Sequence, residues 1–116
     1  VLYKRTIPVL FDSGCDRTVI QSRYLPPDLK LQPVTGELCT ADNTPIPLLG
    51  SADIDFVIDG HPFSANVAVS PSIDGLFLGS DWMEKNDAVL KFKEHQIVIG
   101  GRVFALHGRP EAGQTR

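Results

Sequence analysis

The sequence predicts an all-β domain with one short helix, on three observations. Its 116 residues are the size of one domain. Its 10 glycines and 9 prolines punctuate short runs of Val, Ile, Leu and Phe, with no long 3.6-residue periodicity. Only the segment after Gly79 carries helix-start residues: Ser80 as a cap, with Asp81 and Glu84 in the first turn, where the helix dipole favours negative charge. With 42% hydrophobic and 22% charged residues, the composition is that of a globular chain. A net charge of −3 excludes a phosphate-gripping basic face, and no apolar run approaches the roughly 20 residues that span a bilayer. Neither nucleic acid nor membrane is an expected partner. The chain opens at Val1 without Met, in what reads as mid-strand, as expected of a domain cut from something longer. One domain is expected over residues 1–109, with a frayed tail over 110–116.

The elements follow in order. Val9-Leu10-Phe11 and Thr18-Val19-Ile20 are short apolar strands. Tyr24 to Asp28 is broken by Pro26 and Pro27. Val34 to Thr40 and Ile46 to Leu49 read as two hairpin arms, with Asp42 and Asn43 at the tip. Ala52 to Ile58 alternates apolar and polar residues, as a strand with one wet face does. Asp59-Gly60 is a type I′ turn signal, and Phe63 to Val69 returns as the partner strand. Leu76-Phe77-Leu78 is closed by Gly79, and a helix covers Asp81 to Lys85. Val89 to Phe92, Gln96 to Ile99 and Arg102 to Leu106 are the last strands, with Gly100-Gly101 turning the final pair.

The segment with chemistry is Val9-Leu10-Phe11-Asp12-Ser13-Gly14-Cys15-Asp16-Arg17-Thr18-Val19-Ile20. A carboxylate at the end of a buried strand is costly unless it is hydrogen-bonded or paired. Taken alone, the fragment fits an Asx turn as well as a catalytic acid. A second feature tips the balance: Leu76-Phe77-Leu78-Gly79-Ser80-Asp81-Trp82-Met83 places an apolar strand and a glycine before a short helix. With the hairpin between them, the order of parts resembles the retropepsins, the retroviral-type aspartic proteases, and most closely those of long-terminal-repeat retroelements and their domesticated relatives. The resemblance runs from about Val9 to Leu106.

The resemblance implies a closed, retropepsin-type barrel that works as a homodimer. It implies Asp12 as the catalytic aspartate, Ser13 bracing the two active-site loops, and Gly14 allowing close approach of the substrate backbone. Asp16 would contact the substrate main chain. Leu38 to Leu49 would be the flap, with Asp42, Asn43 and Thr44 near its tip. Leu10, Ile46, Leu76 and Phe77 would line apolar substrate pockets. Gly79 would lie in the loop beneath the catalytic turn. The activity implied is hydrolysis of peptide bonds between apolar residues of an extended polypeptide, as in polyprotein processing. Neither cofactor nor metal is implied. The implied setting is intracellular, in the cytoplasm or in retroelement particles.

The chemistry adds its own constraint. Aspartic proteases need two carboxylates sharing a proton, because like charges about 3 Å apart cannot both ionise. The chain has a single D-S-G, and Asp59-Gly60 and Asp74-Gly75 lack the middle Ser or Thr. The second aspartate is therefore expected from a second copy of the chain.

Some residues depart from the pattern. The flap tip lacks glycine, and Pro45 and Pro47 remove two backbone donors from one arm. Cys15 stands where the family usually has Ala, and Ser80 where viral members often have Arg. Few residues precede Asp12, so the hairpin Gln96 to Leu106 is expected to help build the dimer interface. Cys15 and Cys39 read as two free thiols rather than a redox pair. His61, His95 and His107 have no metal-ligand spacing. Asp53 and Asp55 read as solvated, Trp82 and Met83 as core, and Asp16-Arg17 as a local or intersubunit ion pair, with Arg17 equally able to face the substrate's outer positions. The rival function is a domesticated dimerisation or peptide-binding module without useful turnover, favoured by the stiff flap. A carboxylate-pair glycosidase lacks a placed second acid.

Overall fold

The computed structural model describes residues 6–12, 15–34, 38–39 and 44–106. In chain order the elements are β1 (Val9–Phe11), β2 (Val19–Gln21), a 3-10 turn (Ser22–Tyr24), β3 (Leu38–Cys39), β4 (Pro45–Ile46), β5 (Gly50–Ile58), β6 (His61–Ser70), β7 (Leu76–Leu78), α1 (Ser80–Lys85), β8 (Ala88–Lys91), β9 (Gln96–Ile99) and β10 (Arg102–Ala105). The fold is mostly β with one short helix, as expected. The described residues include no helix long and apolar enough to cross a membrane.

The period-2 pattern of β5 decides its orientation. Ala52, Ile54 and Phe56 are buried, while Asp53, Asp55 and Val57 face out. Asp59 and Gly60 take positive φ, 48° and 79°, which makes the tight turn expected of this pair. β6 then returns antiparallel, with Ala65, Val67 and Val69 inward. Beyond this hairpin the pairing is non-local. The five-stranded sheet runs β1-β7-β2-β6-β5. β1 lies parallel to β7, and β2 lies parallel to β6 but antiparallel to β7. The first strands of the chain are thus fastened by late ones.

The 3-10 turn after β2 was not foreseen. Buried Gln21 explains it: its side-chain oxygen accepts from the Arg23 amide, and its Nε2 donates to the Pro71 and Ile73 carbonyls. The helix also differs from expectation. It begins at Ser80, its N-cap is Gly79, and no side chain caps it. Gly79 holds that position because its neighbours leave no room for a side chain, as described below.

β8, β9 and β10 form a separate three-stranded meander. Its inner face gives Ile97, Ile99 and Phe104 to the core, beside Leu76, Leu78 and Trp82. Phe104 also meets the His61 ring edge-on, which joins this sheet to the β5–β6 hairpin. The hairpin expected to serve a partner is therefore first a part of this chain's own core. Its outer face carries Val89, Val98 and Val103 in cross-strand register, with Val89 and Val103 more than half exposed. The β3–β4 arms form a two-stranded sheet of their own, pairing Leu38 with Ile46 and Cys39 with Pro45. The expected flap tip at Asp42 and Asn43, the loop residues Ser13 and Gly14, His107 and the tail over 110–116 lie outside the described residues, as does the side chain of Cys39.

Trp82 is the hub of the core. It is 3% exposed and packs against Phe11, Phe56 and Phe63, while its Nε1 donates to the Ser64 carbonyl at 2.9 Å. Trp82→Ala is predicted to cost about 3–5 kcal/mol of stability, because the vacated volume cannot close fully. Urea unfolding checks this, as a lower midpoint at unchanged slope.

Candidate active site

The site is built on two segments laid one over the other. Asp12 ends β1, and its amide donates to the Leu78 carbonyl at 2.9 Å. The chain then turns, with the Cys15 amide donating back to the Asp12 carbonyl at 3.1 Å. Beneath this turn runs the segment from Leu78 to Asp81. The Ser80 amide donates to the Cys15 carbonyl at 2.7 Å, and the Gly79 amide donates to Thr18 Oγ1 at 3.1 Å. A Cβ on Gly79 would lie 2.5 Å from the Cys15 oxygen and 2.9 Å from the Arg17 carbonyl carbon, both backbone atoms that cannot step aside. Only glycine allows the two segments to meet here.

Asp12 is 5% exposed, with its Oδ2 sealed from solvent, and is the one buried carboxylate among the described residues. Beside it, Leu10 and Phe77 are partners across the β1–β7 pair and half-buried. Their strand neighbours Val9, Phe11, Leu76 and Leu78 pack in or against the core, whereas Leu10 and Phe77 lie outside that cluster. The strand alternation therefore turns these two apolar side chains to the other face. Of the remaining expected substrate residues, Asp16 is exposed in the turn, Thr44 is exposed before β4, and Ile46 is half-buried within β4, whereas Leu76 is fully buried in the core and cannot line a pocket, because strand alternation turns it inward.

Thr18 and Asp81 hold the turn together, a pairing that sequence reasoning missed. Thr18 is fully buried; its hydroxyl donates to Asp81 Oδ1 at 2.7 Å and its amide to Oδ2 at 3.2 Å. The Trp82 amide adds a donor to Oδ1 at 2.7 Å. Asp81 thus does more than complement a helix dipole: it locks the exit of the turn to the start of α1. Arg17 joins the lock. Its Nη1 donates to the Asn66 carbonyl at 2.7 Å and reaches Asp81 Oδ2 at 3.4 Å, while Nη2 donates to Asn66 Oδ1 at 2.6 Å. The local form of the expected Asp16–Arg17 pair gives way to this arrangement, because the Arg17 side chain runs toward β6 and α1. Asp53, expected to be merely solvated, accepts from Asn66 Nδ2 at 2.9 Å. In the sequence, only a threonine and an aspartate bordering apolar runs hinted at the lock.

Cys15 is a free, half-buried thiol. Burial pushes its pKa above the ordinary thiol value, with the carboxylates of Asp12, Asp81 and Asp16 adding to the shift and backbone hydrogen bonding with Arg17 partly offsetting it. The described residues hold no cluster of three or more potential metal ligands.

No family model matches the sequence, and no curated protein matches it. The fold, however, is similar to that of the retroviral protease-like domain of Ddi1 from Leishmania major, with a TM-score of 0.60. The match covers 96% of this chain and 92% of that one at 13% sequence identity. The chain has a retropepsin-like fold.

Thr18→Val keeps the shape and removes the hydroxyl, which leaves the Gly79 amide and Asp81 each short of a bond. A loss of about 1–3 kcal/mol is expected, measured by denaturant titration. The raised Cys15 pKa has a definite sign. The folded state holds the thiol proton more tightly, so this contribution to stability is complete below the unfolded value, near 9.0, and is lost as pH rises toward the higher folded value. Stability of the wild type is therefore predicted to fall more steeply above pH 9.0 than that of Cys15→Ala, in parallel melts across pH.

Proposed function

We propose that the chain is one subunit of a homodimeric aspartic endopeptidase. The observation that carries this reading is Asp12: a carboxylate sealed at the end of a strand, on a turn clamped from below, in a retropepsin-like fold. A surface Asx turn would need no such burial. One carboxylate cannot both activate water and protonate the scissile carbonyl, so the reading requires Asp12 of a second copy across a two-fold axis. In this reading the sheets of each subunit close into a barrel, and Ser13 and Gly14 complete the active-site loop. An extended polypeptide lies across the pair, with apolar side chains against Leu10, Phe77 and Ile46. One Asp12 takes a proton from water, the water attacks the peptide carbonyl, and the other Asp12 donates its proton to the carbonyl oxygen. The dyad must hold a single proton, so the rate is highest in mildly acidic solution and falls when both carboxylates ionise. Such an enzyme suits the processing of a polyprotein.

The rival reading, a peptide-binding or dimerisation module without turnover, draws on β4, where Pro45 and Pro47 flank Ile46 and deny two backbone donors to a bound strand.

The test is cleavage of a peptide library by wild type and Asp12→Asn at acidic and neutral pH, over a range of protein concentration. Cleavage between apolar residues is expected to vanish in Asp12→Asn, and specific activity to rise with concentration as dimer forms. A folded, dimeric wild type that cuts nothing overturns the enzyme reading in favour of the binding module. Truncation before the Gln96 hairpin cannot probe the dimer, since it removes buried Ile97, Ile99 and Phe104. Replacing exposed Val103 by Asp probes that face without opening the core.

A further inference from the structure

We propose that Arg17 is a positioning residue for Asp12, acting by gripping Asn66 of β6 and Asp81 of α1 at the point where the Asp12 turn ends. The kinetic part of this inference rests on the protease reading above; the structural part does not.

The turn from Asp12 to Thr18 is pinned at its entrance by the β1–β7 pairing and in its middle by the Ser80 amide on the Cys15 carbonyl. Its exit has two kinds of anchor. The first is Thr18, buried and bonded to Asp81. The second is the Arg17 guanidinium, which makes two short bonds to Asn66, one to the backbone oxygen and one to the side chain. Asn66 is itself held by Asp53 directly across the β5–β6 ladder. The planar, forked guanidinium suits this grip, since it meets both Asn66 oxygens while still facing Asp81. A lysine ammonium offers three donors from a single point and cannot reproduce the fork.

The Arg17 and Asp81 side chains are half-buried, 26% and 34% exposed, and their contact is long at 3.4 Å. So long and partly solvated an ion pair adds little to global stability. β2, into which the turn leads, is buried at Val19, Ile20 and Gln21 whatever Arg17 does. Losing the guanidinium should therefore loosen the turn without unfolding the sheet. The effect belongs in the rate of the chemical step, because small misplacements of a reacting group are costly. A residue that touched substrate would act on KM instead.

The experiment compares wild type, Arg17→Lys and Arg17→Met, with Asp55→Asn on β5, the strand that carries Asp53, as a control. Four readouts are taken on the full chain: kcat and KM on a peptide cut by the wild type, dimer content by sedimentation at the assay concentration, melting temperature, and amide exchange at Cys15, Gly79 and Ser80 by NMR. In Arg17→Met, kcat should fall between about tenfold and about a hundredfold with KM within about twofold. Dimer content and melting temperature should hold, and the Gly79 and Ser80 amides should exchange faster. Arg17→Lys should fall between the two, and Asp55→Asn should match wild type. A rise in KM at constant kcat overturns the proposal in favour of a substrate contact. A drop in melting temperature with no local change in exchange overturns it in favour of a general structural role, as does no change at all. If Arg17→Met does not fold, Asn66→Ala replaces it, since it removes one arm of the grip. If the wild type cuts no peptide, the protease reading fails on its own, and exchange at Gly79 and Ser80 alone decides the positioning.

Discussion

The close crossing at Gly79 is the constraint on which the rest of this structure depends. Two backbone segments far apart in the chain meet there with no room for a side chain between them. The crossing sets the height of the Asp12 turn over the Leu78–Asp81 segment, and short backbone bonds on both sides hold it: Asp12 to Leu78, and Ser80 to Cys15. It also explains the bare start of α1. A Ser or Asp at the cap position would complete the helix, but a side chain there would collide with the Cys15 carbonyl. The helix gives up a few tenths of a kcal/mol by taking glycine as its cap. The turn above it gains its place.

The two carboxylates nearest this crossing have different surroundings. Asp81 collects donors from the Thr18 hydroxyl, the Thr18 amide, the Trp82 amide and Arg17. A carboxylate so fully bonded is a fastener. Asp12 stands buried at the end of an apolar strand whose residue Leu10 pairs with Phe77 of β7. The fold thus gives Asp81 a set of fixed bonds at the crossing and buries Asp12 at the end of β1.

Packing supports this division from behind. Trp82 follows Asp81 directly and carries the start of α1 into the ring cluster of Phe11, Phe56 and Phe63. Phe11 in turn precedes Asp12. One aromatic contact thus backs both the fastener and the proposed reactive group. The meander β8–β10 closes the other side of that core with Ile97, Ile99 and Phe104.

Much of this was legible in the sequence, and the division has a physical cause. Period-2 alternation and turn residues are local, and local sterics alone predict the β5–β6 hairpin, the Gly100-Gly101 turn and the order of short strands. The D-S-G run after Val9-Leu10-Phe11 marked Asp12, and Gly79 before a short helix marked the second half of the site. The sequence could not show that β1 pairs parallel with β7, that Thr18 bonds Asp81, or that Arg17 turns away from Asp16 toward Asn66. Those partners lie dozens of residues apart, and their meeting depends on how the sheet folds back on itself. Gln21 makes the same point, since its bonds to Pro71 and Ile73 exist only once β2 has taken its place beside β6 and β7. By itself the sequence determined which residues turn, which alternate and where a buried acid stands. The tertiary structure decided what holds that acid in place, because long-range hydrogen bonds and a glycine-only crossing are properties of meeting segments rather than of either segment alone.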